Sequence, residues 1–170
     1  MDYRAIVENI NGVPLLRLPM EISRSLPSRG MVMVAGSLNG KSCVLPAEPD
    51  GRGGHFLALD REQAAFFGLE TGKRAALQLA PAADWPEPAL PEDLEQAIAS
   101  AGLRDAWDSL TVKARWEWLR WIRGTNNGAT RQKRVAVAVD KLRKGDRRPC
   151  CFNAAGCTVP AVSKSGVLLD

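Results

Sequence analysis

The sequence contains a single histidine, His55, and this scarcity limits the chemistry that is open to it. A catalytic site that uses histidine as its base has to use this residue, with Cys43 or Asp60 as a candidate partner. Paired carboxylates, a nucleophile elbow and a metal-ligand cluster are also missing as sequence patterns. A lone histidine is more often structural than catalytic, so the sequence favours a protein that is not an enzyme. It predicts no catalytic residue and no cofactor.

A long apolar run and an export signal are absent as well. No hydrophobic stretch approaches the roughly 18 residues that a membrane-spanning helix needs. The first residues, 1–4, lack the basic-then-apolar order of a signal peptide. The sequence therefore predicts a cytoplasmic protein without a transmembrane segment. In that reducing compartment the four cysteines are expected to be thiols rather than disulfides.

The cysteines do not have the spacing of a structural zinc site. Cys150, Cys151 and Cys157 lie close together, but without the Cys-x2-Cys spacing of structural zinc sites. A fourth ligand would have to be Cys43 or His55 from the other half of the chain. We therefore predict no metal site and expect thiols that pack the C-terminal tail. A thiol switch stays open, because two arginines precede the first pair and neighbouring cations lower a thiol's pKa.

Charge is present in an uneven distribution, although the net charge is only +4. Residues 1–80 carry nine Lys/Arg and eight Asp/Glu, whereas residues 82–99 carry five acids and no base. Residues 104–148 carry thirteen Lys/Arg and five acids. Such an excess is typical of a solvated helical surface, which is the commoner case, or of a surface that attracts a polyanion or an acidic protein.

The first eighty residues have the pattern of short strands joined by tight turns. Asn11-Gly12 and Asn39-Gly40 are strong hairpin signals, and Asp60 is placed to cap a short helix. Strands are predicted over 3–10, 14–18, 31–37, 42–45, 55–59 and 74–79, and helical turns over 19–26 and 61–67. This pattern predicts a small six-stranded β-barrel that is closed or partly open.

A cluster of four prolines, Pro81, Pro86, Pro88 and Pro91, marks a boundary, because it is incompatible with a continuous helix or a central strand. Beyond it the period becomes helical and predicts four helices, over 92–100, 103–109, 112–123 and 129–144. We expect an α+β protein in four parts: a barrel domain (1–80), a Pro-rich linker (81–91), a basic Trp-rich helical domain (92–148) and a C-terminal tail (149–170).

The last two predicted helices have apolar stripes that would pair as a hairpin. The stripes contain Trp116, Leu119, Ile122, Val135, Val139 and Leu142. The three neighbouring tryptophans of this region cannot all face inward, because successive residues are about 100° apart on a helix. The candidate binding residues are therefore Trp118, Trp121, Arg120, Arg123, Thr130, Arg131 and Arg134. The alternative is that Arg–Trp stacking in this set serves stability alone.

A glycine-rich loop offers a second candidate site, for a ligand at the barrel mouth. It consists of Arg52, Gly53 and Gly54, followed directly by His55. Backbone N–H groups of such a loop can hold a phosphate. A strand follows the loop, however, and the P-loop and dinucleotide patterns need a helix there. A flexible barrel loop is the commoner interpretation.

Three stretches of the helical half occur in a familiar order: residues 110–122, the Thr-Arg-x-x-Arg pattern of 130–134, and residues 147–153. In this order and spacing they resemble the YdeI/OmpD-associated, or bacteriocin-protection, family. Residues 30–40 and 53–57, with Leu69-x-Thr71-Gly72, resemble a barrel domain that often precedes it. The resemblance implies a double-split β-barrel similar to AbrB- and MazE-type barrels. It also implies a role in envelope stress and in protection against bacteriocins or antimicrobial peptides, without known catalytic residues.

Three classes of function remain open from the sequence. The favoured one is a non-enzymatic binding protein of the bacterial stress or peptide-resistance type, with the Arg/Trp hairpin as its contact surface. The second is a DNA-binding regulator that uses an AbrB-like barrel, although nine bases against eight acids give that half no basic footprint. The third is an enzyme or small-ligand binder at the barrel mouth near His55. The partner and the oligomeric state are not predictable.

Overall fold

The computed structural model describes residues 2–125, 127–147, 149 and 167–169. The chain divides into two compact units. One comprises Met1–Asp84 with Pro160–Asp170 and is called here the barrel unit; the other, Trp85–Val159, is called the helical unit. The cysteines predicted to pack the tail, Cys150, Cys151 and Cys157, lie outside the described residues.

The barrel unit is built on a closed antiparallel β-barrel. Its strands are β1 (Tyr3–Ile10), β2 (Val13–Arg17), β3 (Val32–Leu38), β4 (Lys41–Pro49), β5 (His55–Ala58) and β6 (Arg74–Pro81). Their order around the barrel is β1-β2-β5-β4-β3-β6, and β6 pairs with β1 to complete the ring. The predicted six-stranded barrel is confirmed, and it is the closed form of the two expected.

The two Asn-Gly dipeptides form the hairpin turns that their sequence predicts. Asn11 and Gly12 have φ angles of 52° and 82°, and Asn39 and Gly40 have 48° and 79°. Two consecutive positive φ angles match the twist of the flanking strands, and Asn and Gly tolerate them best. The Asn39 side chain also accepts from the N–H of Ala76 and donates to the Phe67 carbonyl, so this turn is tied to its surroundings.

Two short helices cover parts of the barrel: α1 (Met20–Ser25) and α2 (Arg61–Phe66). Asp60 and Gln63 form a capping box at the start of α2, as the sequence predicts for Asp60. The barrel core is aliphatic, with Leu16, Val34 and Leu77 among its fully buried residues. The last described residues, 167–169, also belong to this unit, and the Leu168 N–H donates to the Asp50 carbonyl at 2.9 Å.

The helical unit contains four described helices, in agreement with the sequence. They are α3 (Glu92–Ser100), α4 (Arg104–Asp108), α5 (Val112–Arg123) and α6 (Gly128–Arg143). Side-chain oxygens cap the two longest: Thr111 accepts from the Ala114 N–H and Asn127 from the Thr130 N–H. Among the described residues, no helix combines the length and apolar character that crossing a bilayer requires.

The core of the helical unit differs from the predicted hairpin seam. Trp118 is fully buried, whereas Trp116, which was expected there, is half-buried. On α6 Val135 and Leu142 are buried as expected, but Ala138 is buried and the expected Val139 is only half-buried. The physical reason is that α3 and α4 also pack on α6, so the core is shared by four helices rather than by one facing pair. Trp107 of α4 is buried in the same cluster.

Candidate functional site

His55 is a buried structural residue at the start of β5, with only 1% of its surface exposed. Its Nε2 lies 3.0 Å from the Gly30 carbonyl oxygen and its Nδ1 lies 3.1 Å from the Ser23 hydroxyl. A carbonyl only accepts, so Nε2 carries the proton and Nδ1 accepts from Ser23. Burial lowers the pKa of His55, which keeps the ring neutral. Both ring nitrogens therefore tie neighbouring segments to the barrel.

The two side chains considered as partners of His55 have other roles. Asp60 accepts from the Gln63 N–H at 2.7 Å as the cap of α2. Cys43 is a buried thiol on β4, and burial raises its pKa, so the reactive thiolate is disfavoured. Together with Phe66 and Phe67, Cys43 lines a shallow groove of about 390 Å³. The contacts described for His55 thus include neither candidate.

The glycine-rich loop before His55 is closed on itself by Asp50. One carboxylate oxygen of Asp50 accepts from the N–H of Arg52 at 2.7 Å and from the N–H of Gly54 at 2.9 Å. These are the groups that would have to hold a phosphate, and an internal anion occupies them. The Gly53 carbonyl accepts from the guanidinium of Arg29 at 2.9 Å. These polar groups of the loop therefore already have hydrogen-bond partners within the protein.

Trp118 and Trp121 lie one helical turn apart on α5 and differ in exposure. Trp118 is fully buried, and its indole N–H donates to the Arg147 carbonyl at 3.1 Å. Trp121 is half-buried and meets Trp118 edge-on, with ring centroids 6.1 Å apart. Of the two predicted binding tryptophans, therefore, Trp118 belongs to the core and Trp121 to its rim.

Arg134 joins α6 to the end of α5. Its guanidinium lies 5.6 Å from the centre of the Trp121 ring, and one nitrogen donates to the Trp121 carbonyl at 2.6 Å. That carbonyl belongs to the last turn of α5, where helix carbonyls lack partners within the helix. A cation there is also favoured by the helix dipole. Arg134 thus stabilises the junction of α5 and α6, and its contact with the Trp121 ring lies at the rim of the helical core.

Arg131 forms an internal ion pair with Asp93. Two guanidinium nitrogens lie 2.8 and 3.0 Å from the two carboxylate oxygens, a bidentate geometry. The pair lowers the pKa of Asp93 and raises that of Arg131. Asp93 lies in the first turn of α3, where the helix dipole favours an acid. Arg131 therefore connects α6 to α3, and its charge is largely compensated.

A row of exposed and half-buried side chains follows α5 along its outer side. Lys113 and Arg123 are exposed, and Trp116 and Arg120 are half-buried. Their spacing of three, four and three residues places them on one face of the helix. We call these four residues the basic stripe. Of these four, Arg120 and Arg123 are among the binding residues predicted from the sequence, and Trp116 was predicted to lie in the core. Lys113 was not predicted, although this same spacing could have identified it.

Positive charge dominates the two helices that carry the stripe and Arg134. α5 and α6 contain nine Lys/Arg and two acids, Glu117 and Asp140. Two further carboxylates, Glu87 and Asp93, reach them from the preceding segment. Positive charge stays in excess over the two helices when these two carboxylates are counted with their own acids. On α6, Lys133 and Arg143 are exposed and Thr130 is half-buried.

Comparison with known proteins supports the resemblance seen in the sequence. Residues 87–145 match the model of the family described as Bacteriocin-protection, YdeI or OmpD-Associated. The match contains all four described helices of the helical unit, so the predicted resemblance is confirmed over residues 87–145. No curated protein matches the sequence.

Proposed function

We propose that the helical unit, a domain of the YdeI/OmpD-associated family, is a non-enzymatic binding module for a polyanion. The observation that carries this proposal is the charge of α5 and α6, nine cations against two acids. The stripe arranges part of that charge on one helix face next to half-exposed indoles, which suit contacts with phosphates or sulfates and with flat rings. The family description names bacteriocin protection, which supports a role of this kind; a role in envelope stress stays an implication of the resemblance. A cytoplasmic location stays a prediction of the sequence.

The barrel mouth has weaker support as a ligand site. The nitrogens of His55 and the N–H groups of Arg52 and Gly54 are all engaged by the protein itself. A polar ligand would have to break these contacts before it could bind. No observation on the barrel favours DNA binding either, because its bases and acids nearly balance over residues 1–80.

The first test is binding of the full chain to a labelled heparin fragment and to a short random duplex, followed by fluorescence anisotropy. A polyanion held by several cations releases counterions, so log K should fall linearly with log salt. We expect affinity to drop by at least about tenfold between about 50 and 200 mM salt. An acidic polypeptide, polyglutamate, is the parallel probe. If the chain prefers polyglutamate to heparin and to the duplex, the partner is an acidic protein rather than a polymer of sulfates or phosphates.

Arg123→Gln tests whether the polyanion binds at the basic stripe. We expect it to weaken heparin binding by about three- to tenfold and to reduce the salt slope by about one. Arg104→Gln is the matched control, because Arg104 is an exposed arginine of the same unit that lies on α4, outside the two basic helices. The proposal would be contradicted if the two substitutions changed heparin affinity equally, or if the affinity did not change with salt concentration.

A further inference from the structure

A short segment of the helical unit crosses the first turn of α5. Residues 85–87 lie outside any helix or strand and contact α5 through their backbone and side chains. The Trp116 indole N–H donates to the Pro86 carbonyl at 2.7 Å. One guanidinium nitrogen of Arg115 lies 3.0 Å from a carboxylate oxygen of Glu87. We call residues 85–87 the strap.

The strap also contacts the cation at the start of the basic stripe. The Lys113 ammonium lies 5.8 Å from the centre of the Trp85 ring, within the range of a cation–π contact. Lys113 and Trp116 are the first two residues of the stripe, so the strap contacts one end of it. The other two members, Arg120 and Arg123, lie one and two turns further along the helix.

The contacts of the strap have the chemistry of the proposed partner. A carboxylate faces a guanidinium, a carbonyl oxygen accepts from an indole N–H, and an aromatic ring lies against an ammonium group. A polyanion would use the same three side chains, by pairing with the guanidinium and the ammonium group and by accepting from the indole N–H. The strap and such a ligand cannot hold these side chains at once.

The strap is held unequally along its length. Arg115 is covered, with 14% of its side chain exposed, but the Glu87 side chain is 58% exposed. An ion pair so open to water is weak and sensitive to salt. Just beyond it the chain is anchored, because Pro88 is buried and Leu90 packs against the helical core. Residues 85–87 can therefore leave α5 while the rest of the segment stays in place.

From these contacts we propose that the strap is an internal competitor for the basic stripe. It occupies Lys113, Arg115 and Trp116 in the free protein, and a bound polyanion displaces it. The apparent affinity of the stripe is then lowered by the fraction of molecules in which the strap is closed. This inference rests on the proposed function, since it describes how that same surface is regulated.

The test compares Glu87→Gln with Glu92→Gln in the heparin assay. Both substitutions remove one negative charge, but Glu92 lies on α3 and contacts Gln96 of its own helix. A general gain of positive charge therefore affects both, whereas release of the strap affects only the first. We expect Glu87→Gln to bind about three- to fivefold more tightly than Glu92→Gln.

The Trp116 indole N–H provides a readout that is independent of affinity. Its resonance in a ¹⁵N-correlated spectrum is assigned by its loss in Trp116→Phe. We expect this proton to exchange faster with water in Glu87→Gln than in Glu92→Gln, and its resonance to shift in the wild type when heparin is added, because the bond to Pro86 breaks.

The outcomes separate the two proposals. If all variants bind heparin with the expected salt dependence, but Glu87→Gln equals Glu92→Gln and the Trp116 resonance stays unchanged, the strap is a fixed structural element and the proposed function stands. If neither the wild type nor Glu87→Gln binds any polyanion, the proposed function fails and the competitor role fails with it.

Discussion

Individual arginines of the helical unit differ in what their charge does, although the sequence presents them as one basic group. Arg131 is compensated by Asp93, and Arg134 is bound to the last turn of α5. Arg123 is exposed at the end of the stripe. Sequence spacing cannot separate these roles, because the partners of Arg131 and Arg134 lie far away in the chain. Replacing Arg131 would therefore disturb α3 and α6 before it reported on binding.

His55 leads to a prediction at the same scale, because it is the only imidazole in the chain. Its pKa is lowered mainly by burial, and the charge of Arg29 acts in the same direction. In the unfolded chain the ring takes up a proton below its usual pKa of about 6.5. The unfolded state then binds more protons than the folded state, so stability is full above about pH 6.5 and falls as the pH decreases below it.

This loss is measurable by urea unfolding between about pH 7.5 and pH 5, with amide hydrogen exchange of β5 as the local readout. One proton limits the slope to about 1.4 kcal/mol per pH unit. His55→Gln should be less stable at neutral pH but should lose this slope. If the unfolding free energy of the wild type were the same at all pH values between about 7.5 and 5, neutral His55 would not have the stabilising role proposed for it.

At the scale of elements, local signals predict most of the fold and fail where packing partners are distant. Asn-Gly turns and the cap at Asp60 depend on residues within a few positions, and the structure contains them as predicted. The choice of Trp118 over Trp116 depends on α3 and α4, which a hairpin of two helices leaves out. Likewise, the prolines of 81–91 predict a break in regular structure, but not that Pro86 and Glu87 contact α5.

Gly36 gives a prediction about how the barrel closes. It lies in β3, which pairs with β6, and it has a φ of 151°. A Cβ at this position would lie 1.8 Å from the Gln78 carbonyl oxygen, so the two strands could not keep their distance. Gly36→Ala should therefore destabilise the barrel by roughly 3 kcal/mol or more, through strain and lost β3–β6 bonds.

The measurement is urea unfolding of Gly36→Ala beside Gly40→Ala. Gly40 also has a positive φ, but the space around its Cβ position is open. The control therefore carries only the backbone penalty of about 1–2 kcal/mol. Equal losses of stability would show that the close approach of β6 is not what requires glycine.

The part of the whole molecule that the structure describes has one hydrophobic cluster in each unit. The barrel cluster is aliphatic around Leu16, Val34 and Leu77, and the helical cluster is built around Trp107 and Trp118. A cavity weakens mainly the contacts around it. Damage to one cluster should therefore remain within its unit, and a binding defect can be assigned to a surface only after this local stability has been checked.

Trp118→Ala tests this division. Loss of a fully buried indole should cost about 3–5 kcal/mol in the helical unit. In amide hydrogen exchange under native conditions, α5 and α6 should lose protection, whereas β3 and β6 should keep theirs. Gly36→Ala should give the opposite pattern, with protection lost in β3 and β6 and kept in α5 and α6. If either substitution lowers protection equally in both units, the chain unfolds as one cooperative body. The affinity changes assigned to the basic stripe would then need to be measured again at matched stability.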